Sequence, residues 1–185
     1  SWQSVGLDTT VVGHPFLVGA GGTLNAEVSD TADTWSFALG YRPSDDVSLY
    51  ARVASGFRPA RTNSPGAPIA SLDVNSDSLW RYEVGAKGHS ADGMVSYDLA
   101  LWYIDWNEFQ TLVPILGANY IGNATDGLTA KGFEGALTLK PAEGFSIVST
   151  VAYTDSTLNS DEPVIFGSAD QRAPELAKWV VSANA

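Results

Sequence analysis

Two arginines stand close together where an alternating apolar stretch of the sequence gives way to a long polar one. They are Arg58 and Arg61, in the string Phe57-Arg58-Pro59-Ala60-Arg61. A guanidinium presents a planar fork of donors that matches carboxylate, phosphate and catecholate-like anions. The sequence therefore predicts that Arg58 and Arg61 are candidate ligand-binding residues on a loop. The alternative is that each arginine lies in solvent or pairs with an acid of the loops.

Five further charged residues recur at alternate positions of stretches that alternate like strands. They are Arg81, Glu83, Lys87, Asp98 and Glu134. Because successive side chains of a strand point to opposite faces, these five residues should share one face of a sheet. In an enclosed lumen they would pair with one another or with whatever fills it. Nothing in the sequence requires that they contact a ligand.

The sequence offers little for catalysis or for metal binding. It has no cysteine, and its two histidines, His14 and His89, lie far apart without ligand spacing. No nucleophile, acid–base or phosphate-loop motif is present. Residues 73–77 have the oxygen spacing that begins a calcium loop but lack the glycine and glutamate that complete one. We therefore expect no enzyme, no resident metal and no cofactor.

The elements that must position these residues are strands. Seven stretches are predicted as strands, and they cover 34–42, 47–57, 79–89, 94–112, 129–140, 145–156 and 176–185, with 5–12 and 24–28 as weaker candidates. In each of the seven, one set of alternate residues is apolar and the other set carries the charges. The exceptions, Asp105 and Lys131, lie toward strand ends. A face so nearly free of charge meets either a packed core or lipid.

The lengths of the connections between strands favour lipid over a packed core as the partner of the apolar face. Short turns follow residues 42, 89 and 140, whereas long loops cover 58–78, 114–128 and 157–175. This alternation of short and long connections is typical of transmembrane barrels. Aromatic residues lie near both ends of the strands, as at the two interfaces of a bilayer. A soluble β-sandwich with buried aromatic residues is the alternative, since alternation alone does not reject it.

Composition and charge exclude some classes of protein to which this chain could belong. The net charge of −11, from 21 acidic and 10 basic residues, argues against a nucleic-acid binder. No apolar run approaches the roughly 20 residues that a membrane helix needs. No signal-peptide pattern opens the chain, and its last residues fall inside a predicted strand. We therefore expect a piece of a longer protein.

Several strings in the sequence resemble those of the C-terminal half of TonB-dependent outer-membrane receptor barrels. The resemblance covers residues 34–185, and the order and spacing of the strings agree with the family. The strings are Tyr50–Pro59, which ends in Gly-Phe-Arg-Pro; Glu83-x-Gly85-x-Lys87; Tyr103-x-x-Trp106-x-x-x-Gln110; Lys131-Gly132-Phe133-Glu134; and Arg172–Trp179. Any one of these strings is a weak signal, and together they are specific to the family but not to any substrate.

The resemblance implies an all-β fold, an antiparallel transmembrane β-barrel of about 22 strands with a plug in its lumen. This chain, 1–185, would form an arc of about seven to nine of those strands and would lack both the plug domain and the final strand. The family implies a receptor in the outer membrane of a Gram-negative bacterium that takes up a scarce nutrient, most often a ferric siderophore. Its energy would come from the TonB complex through an N-terminal region that is not in this chain.

The resemblance also places the candidate residues. Arg58 and Arg61 would belong to extracellular loops, and Trp106 and Tyr120, near or in the next long loop, would supply aromatic surface. The row formed by Arg81, Glu83, Lys87, Asp98 and Glu134 would face the lumen or the plug. Outer-membrane lipid and lipopolysaccharide would surround the barrel. Two other functions stay open, a passive porin-like barrel and a soluble β-sandwich binding module.

Overall fold

The computed structural model describes residues 2–12, 25–63, 73–173 and 177–185, and almost all of its regular structure is β. The strands are β1 (Trp2–Val12), β2 (Asn25–Ser44), β3 (Val47–Arg58), β4 (Arg61–Thr62), β5 (Asp73–Val74), β6 (Asp77–His89), β7 (Val95–Asn107), β8 (Phe109–Ile115), β9 (Ala118–Ala124), β10 (Leu128–Ala142), β11 (Phe145–Leu158) and β12 (Trp179–Asn184). A short 3-10 helix covers Pro163–Ile165. In the described part of the chain, no helix has the length and hydropathy to cross a bilayer.

Eight long strands form one antiparallel sheet in the order β1-β2-β3-β6-β7-β10-β11-β12. The remaining strands form two small pairs, β4 with β5 and β8 with β9. Within the described residues the large sheet does not close on itself, because its outermost strands there, β1 and β12, each pair with one neighbour. The predicted all-β arc of a larger antiparallel barrel is therefore confirmed.

The register places the alternating apolar residues of successive strands side by side on one face, which we call the outer face. One row of this face runs through Ala51, Val84, Leu101 and Phe133, each lying opposite the next. In the described residues no second layer packs on it, and Leu101 is 60% exposed. The hypothesis of a sandwich core is therefore wrong, because the apolar side chains that it would bury are uncovered.

Connections at the two ends of the sheet differ as the sequence predicted. At the end that we call the turn end, β2–β3, β6–β7 and β10–β11 are joined by short turns. In the middle one, the Ser90 hydroxyl and the Met94 N–H donate to Asp92 and hold the pKa of its carboxyl below the usual value. The opposite end, the loop end, carries the long connections 59–76, 108–127 and 159–178.

The structure corrects two strand boundaries. The weak candidate 5–12 lies within β1, and β2 runs without a break from Asn25 through the predicted strand 34–42. The predicted strand 94–112 is wrong, because β7 ends at Asn107 and the next residue, Glu108, has φ 53°. His14 and the glycine-rich segment 19–22 lie outside the described residues.

A hairpin, β8–β9, replaces most of the predicted loop 114–128. Its turn is Leu116-Gly117, with φ 52° and 81°. Positive φ at both central residues is the pattern of a type I′ turn, whose twist matches that of the two strands. The sequence offered only one glycine there, so the turn was not recognised.

Gly132 in β10 lies beneath the indole of Trp102, which crosses from β7. A Cβ added at Gly132 would lie 2.0 Å from the Tyr153 carbonyl oxygen and 2.6 Å from Cζ2 of Trp102. Neither the backbone nor the buried indole can move far. Glycine is therefore required for the indole to lie flat on the sheet.

We expect Gly132→Ala to lower the free energy of unfolding by about 1–3 kcal/mol, because the added methyl overpacks a filled site. Gly135→Ala, in the same strand, is the matched control, since its Cβ would lie 3.2 Å from Leu99 and 3.4 Å from Val151. A denaturant titration of both variants in detergent, followed by tryptophan fluorescence, measures the difference. Equal midpoints for the two variants would contradict this packing argument.

Candidate functional site at the loop end of the sheet

The β8–β9 hairpin folds over the charged face of the sheet, which we call the inner face. Register and alternation place Arg58, Asp77 and Trp106 on this face at the ends of β3, β6 and β7. The ring of Phe109, the first residue of β8, meets Trp106 edge-on at 4.8 Å. Ala124, the last residue of β9, is fully buried in the same hydrophobic cluster. The hairpin therefore covers the inner side of the sheet at its loop end.

An ion pair between Arg58 and Asp77 lies beneath the hairpin. The Asp77 side chain is 1% exposed, and its Oδ2 accepts from Arg58 Nε at 2.7 Å. Two backbone N–H groups also donate to this carboxylate, that of Arg58 at 3.2 Å and that of Gln110 at 3.1 Å. A buried carboxylate is tolerated because these charged and neutral donors replace the water it loses.

Arg58 holds the hairpin through two further contacts. Its Nη2 donates to the Gln110 carbonyl oxygen at 2.8 Å. Its guanidinium also lies 5.0 Å from the ring centre of Trp106 and 5.5 Å from that of Phe109, within the range of cation–π attraction. The structure thus pairs Arg58 with Asp77, an acid of the predicted loop 58–78 that the fold places at the start of β6. Such a pair was the alternative to a ligand contact.

Side-chain amides join the connection 59–76 to the hairpin. Asn63 donates to the Ile121 carbonyl oxygen at 2.8 Å and accepts from its N–H at 2.9 Å. Gln110 Nε2 donates to the carbonyl oxygens of Pro59 at 3.0 Å and Asn75 at 2.9 Å. Asn123 donates to the Asn75 carbonyl oxygen at 3.1 Å. An amide supplies a donor and an acceptor, so it can take the place of a strand neighbour.

The connection 159–178 packs against the same region. Glu162 is 3% exposed, and its Oε1 accepts from the Asp126 N–H at 2.8 Å. Asn159 donates to the Asp126 carbonyl oxygen at 2.8 Å. Leu158, which ends β11, and Ala173, within this connection, are buried in the cluster that also contains Ala124. The described parts of the three connections therefore form one packed body, which we call the loop-end unit.

The other two candidate ligand residues lie on this unit. Arg61 is exposed in β4, opposite Val74, and Tyr120 is half-buried in β9, opposite Val113. The bond between Asn63 and Ile121 joins their two segments, and each candidate lies within two residues of it. The structure therefore brings Arg58 to Trp106 directly and places Arg61 and Tyr120 on adjoining segments.

The five charged residues of the predicted row all belong to the inner face. Arg81 Nε donates to Glu83 Oε2 at 2.9 Å, and Lys87 Nζ donates to Asp98 Oδ2 at 2.7 Å. Glu134 lines a concavity of about 380 Å³ together with Glu83, Lys87 and Asp98. The structure therefore shows the expected pairing within the row for four of these five residues.

Sequence reasoning missed several residues that build these sites. Tyr50 hydrogen-bonds to Glu83, and Trp102 lies beneath the Arg81 guanidinium at 5.3 Å. The sequence shows Asp77 only as part of a calcium-loop fragment and Gln110 only as the last residue of a family string. The family string from Tyr103 to Gln110 is the sequence signal that points to this site. It contains the end of β7 and the start of β8, between which the chain reverses direction.

Comparison with known proteins gives the same architecture. A family described as TonB dependent receptor-like, beta-barrel, matches residues 6–185. The ferric yersiniabactin uptake receptor FyuA from Yersinia pestis superposes with a TM-score of 0.67 at 20% identity, over 86% of this chain and 23% of that one. The siderophore receptor PiuA from Acinetobacter baumannii gives 0.65 at 14% identity, over 91% and 25%. The copper transporter OprC gives 0.64 at 14%, over 77% and 23%.

These three structures share the fold of this chain, and their identities are too low to carry more than the fold. The chain spans about a quarter of the length of each. They are described as proteins for different cargoes, which are ferric yersiniabactin, a siderophore and copper. The fold of the described arc is therefore shared by proteins with different cargoes.

We expect Asp77→Ala to lower the free energy of unfolding by about 3 kcal/mol, because Arg58 and the Gln110 N–H lose a buried partner. Asp98→Ala is the control, since the Lys87–Asp98 pair is 56% and 47% exposed and should contribute less than about 1 kcal/mol. Limited proteolysis of the loops and a denaturant titration report the two effects. If both variants lose the same stability, the Asp77 pair does not hold the hairpin.

Proposed function

The chain belongs to the TonB dependent receptor-like β-barrel family, and from that premise we propose that the protein carrying it is an active-transport receptor of the outer membrane. Its substrate is a scarce nutrient, and a ferric siderophore is the first candidate. Uptake is energised through TonB, which acts on a region outside this chain. The family is one of transporters and receptors, not of enzymes.

The observation that carries this proposal is the family match over residues 6–185. The geometry supports it, because an open antiparallel sheet with one uncovered apolar face suits a barrel wall in lipid. Similarity to a ferric yersiniabactin uptake receptor and to a siderophore receptor makes a ferric siderophore the first cargo to test. Similarity to a copper transporter makes copper the second.

The two faces of the arc take different roles in this proposal. The outer face meets lipid and lipopolysaccharide of a Gram-negative outer membrane. The inner row of Arg81, Glu83, Lys87, Asp98 and Glu134 faces the lumen and its plug. The loop-end unit is extracellular, where it contributes part of the substrate platform.

Within the loop-end unit the four candidate residues divide into two pairs. Arg61 and Tyr120 are the ligand-contacting pair, because Arg61 is exposed and Tyr120 half-buried on adjoining segments. Arg58 and Trp106 lie beneath the hairpin and hold it in place. A loss of affinity after a change at Arg58 or Trp106 would therefore reflect a displaced hairpin.

We expect a strain that lacks the complete receptor to lose accumulation of one radiolabelled ferric siderophore. A strain that carries the receptor should lose the same uptake when a proton uncoupler collapses the energy supply, because the TonB complex draws on the proton gradient. The purified receptor in planar bilayers should show no steady ion conductance. Uptake that survives the uncoupler, together with steady conductance, would favour the porin-like alternative and overturn active transport.

We expect Arg61→Ala and Tyr120→Ala each to weaken binding of the transported chelate by roughly tenfold, because each removes a polar or aromatic contact at a surface that the bound chelate would cover. Lys140→Ala, at the turn end of β10, is the matched control and should leave affinity unchanged. Fluorescence titration of the complete receptor measures all three. Unchanged affinity in both loop variants would remove these two residues from the site.

A further inference from the structure

The backbone of Ile121 in β9 has a side chain in the place of a neighbouring strand. In a two-residue hairpin the residues that flank the turn form a hydrogen-bonded pair, and hydrogen-bonded and non-hydrogen-bonded pairs then alternate along the two strands. The flanking pair is Ile115 with Ala118, so the pair that contains Ile121, three residues farther along, is not hydrogen-bonded. The N–H and C=O groups of Ile121 therefore point away from β8.

Asn63 satisfies both of these backbone groups. Its Nδ2 donates to the Ile121 carbonyl oxygen at 2.8 Å, and its Oδ1 accepts from the Ile121 N–H at 2.9 Å. A neighbouring strand would supply the same donor and acceptor, and the amide supplies them from one planar group. Asn63 directly follows β4, so this pair of bonds, which we call the Asn63 clamp, ties the end of β4 to β9.

A second clamp runs in the opposite direction. Asn123 in β9 accepts from the Asn75 N–H at 2.9 Å and donates to the Asn75 carbonyl oxygen at 3.1 Å. Asn75 directly follows β5, the strand that pairs with β4. Each strand of the β4–β5 pair is therefore clamped to β9 just beyond its last residue. Two attachment points fix the orientation of the β4–β5 pair as well as its distance from β9.

The two clamps flank the residues that we propose as ligand contacts. Arg61 lies opposite Val74 in the β4–β5 pair, so it stands between the clamp at Asn63 and the clamp at Asn75. Tyr120 directly precedes Ile121 in β9. A guanidinium and a phenol on two separate segments reach one ligand only if the two segments keep their spacing. Without such ties the ligand would have to order both segments as it binds, which weakens affinity.

We propose that Asn63 and Asn123 are positioning residues of the substrate surface. They hold Arg61 and Tyr120 at a fixed spacing before the ligand arrives, and neither asparagine needs to contact the ligand. The affinity for the chelate therefore depends on two side chains whose bonds are all made within the protein. This inference rests on the proposed function, because it takes Arg61 and Tyr120 as the ligand-contacting pair.

Hydrogen exchange of the complete receptor without ligand, resolved to single residues, tests the Asn63 clamp. We expect Asn63→Ala to speed exchange of the Ile121 N–H by roughly tenfold, because this N–H loses its acceptor. The Tyr120 N–H is the internal reference, since it belongs to a hydrogen-bonded pair with Val113 and should keep its protection. Unchanged exchange at Ile121 would overturn the clamp. Equal acceleration at Tyr120 would mean that the hairpin has opened, and it would overturn a positioning role.

Fluorescence titration of the complete receptor with one ferric trihydroxamate and one ferric tris-catecholate measures affinity. We expect the double variant Asn63→Ala/Asn123→Ala to bind the accepted chelate roughly tenfold more weakly, since ordering two side chains on binding weakens affinity about threefold each. Asn107→Ala is the matched control, because Asn107 is an exposed asparagine at the end of β7 that belongs to neither clamp. Its affinity should equal that of the unaltered receptor.

Coupling to Arg61 separates positioning from a general loss of stability. Arg61→Ala, which should weaken binding roughly tenfold in the unaltered receptor, should weaken it less than about threefold in the double variant, because a displaced arginine has little contact left to lose. A merely structural role would leave the effect of Arg61→Ala unchanged in the folded receptor. Unchanged affinity in the double variant, or an undiminished effect of Arg61→Ala within it, would overturn the inference.

Failure of the proposed function has a different signature. An unaltered receptor that neither binds nor accumulates either chelate would contradict the siderophore proposal and this inference together, whatever the exchange rate at Ile121. Chelate binding that the double variant retains in full would contradict this inference alone.

Discussion

The alternation of side chains along each strand is the constraint on which this structure depends. Because successive residues point to opposite faces, a sheet that keeps charge off one face must place it on the other. Register then turns separate sequence patterns into two continuous surfaces, as when Ala51, Val84, Leu101 and Phe133 fall in one row. The same register gathers Lys87 beside Asp98 on the opposite side. A one-residue slip would bring charge onto the uncovered apolar face along a whole strand, so the pattern defines register as well as fold.

The loop-end unit depends on a second kind of constraint, the need to satisfy a buried carboxylate. Asp77 is 1% exposed, and its partners come from β3 and from the hairpin. Arg58 in turn contacts the hairpin by a hydrogen bond and by two aromatic rings. The position of the hairpin is therefore determined by polar groups as much as by apolar packing. A surface built on such a support can be precise although it lies on connections.

The sequence predicted the sheet far better than the loop-end unit, and the difference has a physical cause. Strand periodicity is local, so stretches such as 47–57 and 79–89 were found within one or two residues of β3 and β6. The hairpin was missed because it depends on backbone conformation at Glu108 and Leu116, where a positive φ leaves no mark in the residue type. The role of Asp77 was missed because its partners lie 19 and 33 residues away. Arg58 was found as a distinctive residue, but only the fold shows that its charge is already matched.

The order of the strands in the sheet bears on how such a wall assembles. Each long strand pairs with the long strand that precedes it along the chain, so the sheet is a simple meander. Contacts of this kind are local in sequence, and the entropy lost in forming each one is small. The sheet can therefore grow by adding one strand at a time to an existing edge. At every stage the growing sheet presents a free edge at its newest strand, and backbone groups on a free edge are costly in hydrocarbon. Growth in this order requires that something shield the newest edge until the next strand arrives.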